Sequence, residues 1–414
     1  MGYSGKVFSA FSWQTALKLA LIVVSFGRIF FLARLLTPDD FGLYAIVMIA
    51  LGLLESTTET GINVTIIQAT EKIEYFLDTA WVIAIFRGGV ISALMLVASV
   101  VIAYFYHQPT LIPLICFTAV IPLIKGFINP VAGALQKDFR FATQVLIQFS
   151  RFVIEAILAV AFVFLWPGVW SLLWALVVAA MFEVLISLVF ISPRPKFRFS
   201  WGPAKIILHN AKALTVQAAL SYIVENADDL IIGKSLGTYT LGVYHNGYAL
   251  THKLIYDTAK SASYGLFPVY SKLKDDPKRL RRAVLLSSVG IIAVLIAVAF
   301  ALQTFAKPII LLALGDKWLA IVPSLGILAF AALLQAIYSL SSVFLYATKK
   351  YRPITLSLSI QTIILIVGVW YGSQQFGLVG AAWGIVIARL LSLPQLIWSV
   401  AASIDMKPNR HNAT

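Results

Sequence analysis

The chain has 414 residues, of which 60% are hydrophobic and 12% are charged, and its mean hydropathy is +0.89. A soluble domain carries about 25% charged residues, so the composition excludes an ordinary soluble globule. The net charge of +14 would suggest a nucleic-acid partner in a soluble protein. Here the excess cations lie mostly in short loops, which indicates orientation in a membrane and predicts no nucleic-acid partner.

Apolar runs of about 20 residues, long enough to cross a bilayer as a helix, recur along the whole chain. Twelve are predicted, at 12–36, 41–62, 79–106, 111–136, 141–164, 168–190, 207–232, 241–267, 283–305, 318–347, 353–372 and 377–402. We therefore predict an all-α polytopic membrane protein with twelve transmembrane helices.

The second half of the chain faintly repeats the first half. RIFFLARLLTPDDFGLY at 28–44 matches DDLIIGKSLGTYTLGVY at 228–244, 200 positions later. Two further echoes follow in the same order, 137–140 with 349–352 and 168–174 with 377–383. Self-similarity at half the chain length predicts two pseudo-symmetric six-helix lobes, related by an axis along the membrane normal.

The stretch between the two halves, SPRPKFRFSWGP at 192–203, has three prolines and three cations and no long apolar run. It is the natural hinge of the chain. We predict an N-terminal lobe at 1–191, a basic cytoplasmic linker at 192–206, a C-terminal lobe at 207–402 and a cytoplasmic tail at 403–414.

The loop cations predict the orientation. With both termini in the cytoplasm, the inner loops carry 16 Lys and Arg residues and the outer loops carry four. Positively charged loops stay on the cytoplasmic side, so both termini are predicted to be cytoplasmic.

Spans 1 and 7 occupy equivalent places in the repeat but carry polar stripes of opposite charge. Lys18 and Arg28 share one face of span 1, and Glu225 and Asp228 share the matching face of span 7. Because an ionisable group deep in lipid costs several kcal/mol, these faces should point to a protein interior or a wet cavity. Two roles stay open: the stripes line a transport cavity, or they pair with each other and hold the lobes together.

Other ionisable residues lie within the predicted spans. Lys253, Asp257 and Lys260 share one face of span 8, where Lys253 and Asp257 can also neutralise each other as an i, i+4 pair. Lys125 lies near the middle of span 4 and is a candidate to line a cavity.

In span 5, Arg151 and Glu155 have the same i, i+4 spacing and are expected to pair, while Glu183 in span 6 has no predicted partner. Arg87 and Arg389 lie near the inner ends of their spans, where they can snorkel to the membrane surface.

The sequence predicts neither a metal site nor a cofactor. The one cysteine, Cys116, excludes an internal disulfide and an ordinary Cys-based metal site, and the histidines show no metal-binding spacing with carboxylates. Gly233-Lys234-Ser235 resembles the end of a phosphate-binding loop, but its required upstream glycine is replaced by Asp228.

Four motifs resemble those of a known family. They are ARLLTPDDFGLY at 33–44, ALQKDFRF at 134–141, DDLIIGKSLGxxxLGxY at 228–244 and LGDKW at 314–318. They are similar to stretches of the polysaccharide transporter family, the Wzx-like oligosaccharide flippases of the multidrug/oligosaccharidyl-lipid/polysaccharide exporter superfamily. The likeness covers nearly the whole chain, in order.

The resemblance implies a MATE-like fold of two lobes in the bacterial inner membrane, in a monomer without enzymatic activity. It implies that undecaprenyl-diphosphate-linked oligosaccharides cross to the outer leaflet by alternating access, for O-antigen, capsule or exopolysaccharide. Lys18 and Arg28 match the lumen-facing part of the first helix. The acidic residues of span 7 depart from a purely cationic cavity and favour coupling to protons or sodium ions.

These considerations give two sets of candidate site residues. The candidate substrate-binding cations are Lys18, Arg28, Lys125, Lys253 and Lys260. The candidate coupling or inter-lobe acids are Glu225, Asp228 and Asp257. A multidrug exporter of the same superfamily is the alternative, and a membrane glycan polymerase or ligase is disfavoured because the outer loops are short.

Overall fold

The computed structural model describes residues 20–21, 23–58, 62, 73–134, 141–273 and 276–405. Within those ranges side chains are described except at 133–134, 141–148, 210, 212–214, 216–217, 277 and 404–405. The regular secondary structure of the described ranges is helical, as predicted.

The chain forms two compact units, Met1–Asn226 and Ala227–Thr414. The helices that begin in the first unit are α1 (23–35), α2 (Pro38–Thr57), α3 (Ile73–Tyr106), α4 (Leu111–Thr118), α5 (Val120–Gly126), α6 (Val131–Ala134), α7 (Phe141–Leu165), α8 (Val169–Phe190) and α9 (Trp201–Leu273). Those that begin in the second unit are α10 (Pro277–Thr304), α11 (Ala306–Ala313), α12 (Val322–Ala347) and α13 (Arg352–Asp405), with a 3₁₀ turn at Asp316–Ile321 before α12.

Two of these helices are each a pair of helices joined by one glycine. Gly237 (φ 83°, ψ 174°) divides α9, and Gly377 (φ 60°, ψ −141°) divides α13. The predicted spans on either side of each glycine are therefore separate segments, as the sequence predicts. Only glycine adopts such positive φ values without strain.

Helices are the expected elements, because lipid offers the backbone no hydrogen-bonding partners and each helix satisfies its own. Six stretches of the described helices are long and apolar enough to cross a membrane. Each predicted span is mainly helical where the structure describes it, but the span predicted at 111–136 is divided into three short helices with non-helical residues at 127–130. The all-α membrane fold is confirmed, while the total of twelve crossings stays a prediction.

Tight turns at matched positions support the internal repeat. His107 (φ 55°) and Gly315 (φ 100°) lie 208 residues apart, and Gly168 (φ 119°) and Gly377 lie 209 apart. Gly237 lies 200 residues after Thr37, the N-cap of α2. The two halves thus turn at corresponding places.

The TPDD motif of the first half has a structural role. Thr37 and Asp40 form a capping box, in which the Asp40 amide donates to the Thr37 hydroxyl at 3.3 Å and the Thr37 amide donates to Asp40 Oδ2 at 2.9 Å. The other carboxylate oxygen of Asp40 accepts from the Val169 amide at 3.0 Å. One carboxylate therefore caps α2 and fixes the start of α8 beside it.

The start of α9 packs into the N-terminal unit. Ala204 and Ile207 belong to a buried cluster with Phe76, Ala80 and Ile83 of that unit. This packing explains why the first unit extends into α9, to Asn226. The predicted lobe boundaries at 191 and 207 stay a prediction.

In the C-terminal unit the two segments of α13 approach closely across paired glycines. Gly368 and Gly372 on one segment face Gly384 and Gly380 on the other, and an added Cβ at any of them would meet backbone of the facing glycine. Two such G-xxx-G faces let helix backbones touch in a membrane.

Candidate functional site: ionisable clusters within each unit

A buried ion pair joins α1 to α7 in the N-terminal unit. Arg28 Nη1 lies 2.8 Å from Glu155 Oε1, and the two side chains are 15% and 7% exposed. Arg28 thus points into the protein. An anionic ligand could bind the Arg28 guanidinium only by competing with the Glu155 carboxylate.

The predicted pairing of Arg151 with Glu155 is wrong. Arg151 instead faces Glu183 of α8, with Nε 3.8 Å from Oε2. The physical reason is that α1 brings the Arg28 guanidinium to Glu155, while α7 packs along α8 and brings Arg151 to Glu183. Glu183, which had no predicted partner, gains one by this exchange.

Lys125 lines a small internal cavity of about 120 Å³ together with Tyr44, Arg151 and Glu155. Its Nζ donates to Glu55 Oε1 at 3.2 Å. Arg87 donates to the backbone carbonyl of Glu55 at 2.6 Å. Three cations of this unit, Arg28, Lys125 and Arg151, are thus each paired with a glutamate.

The C-terminal unit buries two adjacent acids, Asp228 and Asp229, which are 4% and 8% exposed. The hydroxyl of Tyr244 donates to Asp228 Oδ2 at 2.5 Å, and His245 Nδ1 lies 3.2 Å from Asp229 Oδ2. Asp228 and Tyr244 are the repeat equivalents of Arg28 and Tyr44. Equivalent positions thus hold a buried cation in one unit and a buried acid in the other.

Arg389 of α13 is 4% exposed, so its side chain lies inside the protein and does not snorkel to the membrane surface. Its Nη2 donates to the Tyr248 hydroxyl at 3.0 Å, and its guanidinium lies 5.9 Å from the centre of that ring. Within the described residues, its Nε and Nη1 have no hydrogen-bond partner. A buried guanidinium with unused donors is suited to an anion or to water.

A ladder of rings runs along one face of the second segment of α9. Tyr244, Tyr248, His252 and Tyr256 follow one another at four-residue spacing, with centroids 5.4, 4.4 and 4.5 Å apart. Lys260 continues the row, its Nζ 5.6 Å from the Tyr256 centroid. The ladder connects the buried acids to the far end of the segment.

The remaining candidates occupy different environments. Lys253 and Asp257 are half-buried one turn apart on α9, Lys260 is exposed, and Glu225 is exposed although Asp228 on the same predicted face is buried. Lys18 lies outside the described residues. The structure does not bring all of the candidates together, and their roles stay predictions.

Sequence reasoning missed Asp229, Tyr248 and the buried environment of Arg389. The four-residue spacing of rings after Tyr244 was the available signal for the ladder, because i, i+4 side chains meet on a helix. Among the residues that the structure describes, no group of three or more His, Cys, Asp or Glu side chains is placed to hold a metal ion.

A family profile described as "Polysaccharide biosynthesis protein" matches residues 31–323. The chain belongs to this family. The family prediction is therefore confirmed, and Lys125, Arg151, Asp228 and Asp229 lie within the matched region, whereas Arg28 and Arg389 lie outside it.

Two relatives of this chain are named for the biosynthesis of lipopolysaccharide and of teichuronic acid. The lipopolysaccharide biosynthesis protein WzxC of Escherichia coli K12 is 23% identical over 397 residues, covering 95% of this chain and 80% of the relative. The teichuronic acid biosynthesis protein TuaB of Bacillus subtilis 168 is 23% identical, covering 80% of this chain and 69% of the relative.

Two solved structures share the fold. The lipid II flippase MurJ in an inward closed conformation has a TM-score of 0.74 at 13% identity, covering 95% of this chain and 88% of that chain. An inward-facing multidrug resistance MATE family transporter of the MOP superfamily has a TM-score of 0.64 at 13% identity, covering 95% and 98%. The MATE-like fold is confirmed, and both neighbours are named as transporters rather than enzymes.

Proposed function

We propose that this protein is a flippase that moves undecaprenyl-diphosphate-linked oligosaccharides across the bacterial inner membrane by alternating access. The main support is the fold, which this chain shares with a lipid II flippase. The chain also belongs to the polysaccharide biosynthesis family. A multi-pass membrane protein of this kind fits the apolar helices. The transported units would serve the synthesis of a surface or exported polysaccharide.

The buried cations supply the physical means of moving a diphosphate. A prenyl diphosphate is anionic, and an anion crossing the membrane core costs several kcal/mol unless cations accompany it. In the N-terminal unit, Arg28 and Lys125 are held by Glu155 and Glu55. A diphosphate would compete with these glutamates for the cations, and the cost of leaving a glutamate unpaired would keep its binding reversible.

Lys18, Lys253 and Lys260 complete the proposed set of substrate-binding cations. Lys253 and Lys260 lie about two turns apart on the second segment of α9, where they would contact anionic groups of the substrate. Cations at successive depths keep the anion accompanied as it moves.

The acids of the C-terminal unit are proposed to couple transport to protons or sodium ions. Asp228 and Asp229 are neighbours, buried, and held by Tyr244 and His245. Two adjacent buried carboxylates repel each other unless one is protonated or a cation lies between them. Asp257 and Glu225 are proposed to serve the same coupling or to join the lobes.

The cation count of the loops supports a protein with both termini in the cytoplasm. In this orientation the turns at Gly237, Gly315 and Gly377 face outward. We propose that the protein works as a monomer.

A multidrug exporter is the second candidate function. Asp228 and Asp229 beside the rings of Tyr244 and Tyr248 would suit an organic cation, and the fold also matches a multidrug transporter. This candidate predicts that drug susceptibility, not glycan display, changes when the gene is lost.

The deciding experiment is a gene deletion in a strain that displays the glycan. The flippase proposal predicts loss of surface glycan and accumulation of the lipid-linked oligosaccharide in the inner leaflet, with unchanged drug susceptibility. Complementation by the wild-type gene but not by Arg28→Ala, at equal protein level, would assign the effect to the N-terminal cation. Normal glycan with increased drug susceptibility would instead support the exporter.

A further inference from the structure

The C-terminal unit contains a cavity of about 580 Å³ at the end of the ring ladder, where Tyr256 and Lys260 line it. It lies between the last turns of α9, the end of α12 and the turn that follows α12. Its volume falls within the range of about 300–1,000 Å³ that is usual for small-molecule sites. It is therefore large enough for a ligand rather than for water alone.

The lining of the cavity is aromatic and rich in hydroxyl groups. Five of the eleven lining residues are tyrosines, namely Tyr256, Tyr264, Tyr338, Tyr346 and Tyr351. Serines lie between them, and the Ser263 and Ser339 hydroxyls are 3.2 Å apart. Tyrosine offers an apolar face and a polar edge, so such a wall contacts a ring whose faces are C–H groups and whose rim is hydroxyls.

These features favour a sugar ring over a prenyl tail. Within the described residues the buried Ser342 hydroxyl of the wall has no hydrogen-bond partner, and covering it with an aliphatic tail would leave it without one, which costs free energy. A sugar ring can use both the aromatic faces and the hydroxyls.

Lys260 adds a positive charge to the wall. Its side chain is exposed, and its Nζ lies 5.6 Å from the Tyr256 centroid. Among the residues that the structure describes, no carboxylate forms an ion pair with it. An ammonium group beside stacked rings attracts an anionic substituent on the ligand.

We infer that this cavity is a recognition site for an anionic sugar residue of the lipid-linked oligosaccharide, with Lys260 contacting its carboxylate or phosphate. The inference rests on the proposed flippase function. The cavity lies at the end of the unit opposite the turns at Gly237, Gly315 and Gly377. In the proposed orientation that end faces the cytoplasm, so the site would select the sugar before transport.

Sugar binding to the purified full-length protein tests the inference. Saturation-transfer NMR would be recorded with glucuronate, glucose 6-phosphate, glucose and inorganic pyrophosphate as probes. We expect at least one anionic sugar to bind more tightly than glucose and pyrophosphate. The glucuronate and glucose 6-phosphate arms distinguish a carboxylate from a phosphate ester.

The variants locate the binding. Lys260→Gln should weaken the anionic sugar about tenfold, as expected for the loss of one charge-assisted hydrogen bond of about 1.4 kcal/mol. Lys260→Arg should retain binding, and Tyr264→Ala should weaken all of the sugars. Lys272→Gln is the matched control, because Lys272 is an exposed cation on the same helix that does not line the cavity.

Several results would overturn the inference: no sugar binding by the folded protein, equal binding of glucose and the anionic sugars, tighter binding of pyrophosphate, or equal effects of Lys260→Gln and Lys272→Gln. The outcome is separable from that of the flippase proposal. If deletion blocks glycan display but no sugar binds, only this inference fails. If the anionic sugar binds through Lys260 but deletion leaves the glycan normal, the flippase proposal fails and the sugar site stands.

Discussion

At the scale of residues, buried ion pairs affect both the stability of this protein and its proposed binding of an anion. When one member of a buried ion pair is removed, the other is left as an unpaired charge, which costs about 3–5 kcal/mol. Arg28 and Glu155 are such a pair, since both side chains are largely buried at a separation of 2.8 Å. A structural role and a transport role of Arg28 can therefore be separated by changing both partners.

Arg28→Gln should lower the free energy of unfolding by about 3 kcal/mol, because Glu155 is left unpaired. The double variant Arg28→Gln with Glu155→Gln should recover most of that stability but should not restore glycan display. Thermal unfolding of the purified protein and surface-glycan staining measure the two effects. Arg34→Gln, an exposed cation on the same helix, serves as the control. Restored glycan display in the double variant would show that the pair is only structural.

Tyr244→Phe should destabilise the C-terminal unit by about 1–3 kcal/mol, because the buried Asp228 carboxylate loses its hydroxyl donor. Asp228→Asn should be less damaging to stability, since an amide oxygen still accepts from Tyr244, but it should abolish ion-driven transport. Unfolding curves and flipping assays in vesicles with proton or sodium gradients test both expectations. Tyr239→Phe is the control, as an exposed tyrosine on the same helix segment. Gradient-driven transport by Asp228→Asn would remove Asp228 from the coupling proposal.

At the scale of elements, close contacts between helices set the tolerance for side-chain size. The two segments of α13 touch at Gly372 and Gly380, where a Cβ would collide with backbone. Backbone cannot move aside as easily as the end of a flexible side chain. The glycines, rather than any polar contact, therefore fix the separation of these two helices.

Gly372→Val should lower the midpoint of thermal unfolding, with a cost of about 1–3 kcal/mol from overpacking. Gly290→Val is a matched control in the same unit, because a Cβ at Gly290 has no neighbouring atom within 4 Å. Equal unfolding temperatures for the two variants would contradict the described packing.

Asp40→Ala removes two contacts at once, the α2 cap and the bond to the Val169 amide. We expect a loss of about 2 kcal/mol, the upper end of the cost of removing a helix cap. Asp39→Ala removes the neighbouring charge in the same first turn and should cost less. The difference between the two unfolding free energies measures the link between α2 and α8. No difference would mean that the contact to Val169 contributes nothing.

At the scale of the whole molecule, the orientation in the membrane is the main open prediction. In a Cys116→Ser background, Lys349→Cys should react with a membrane-impermeant maleimide only after the cells are opened. Lys317→Cys should react in intact cells. The turn that contains Lys349 carries three cations and should lie inside. The reverse labelling pattern would invert the predicted orientation.

The helices and their turns were predictable, because apolar length and a repeated pattern depend on sequence positions alone. The pairing of buried charges was not. Arg151 and Glu155 have ideal spacing on one helix, yet Arg28 from a distant helix takes Glu155, since tertiary packing decides which guanidinium comes closest. Arg389 was expected near the membrane surface, but Tyr248 offered it a buried partner.

The turns at Gly168, Gly237, Gly315 and Gly377 have a practical consequence for experiments. Each lies within a connection of only a few residues between successive helices. Antibody fragments and nanobodies that rigidify small membrane proteins for electron microscopy need protruding loops to grip. A binder campaign should therefore target the basic segment 191–200, which is non-helical and largely exposed, or graft a rigid epitope there.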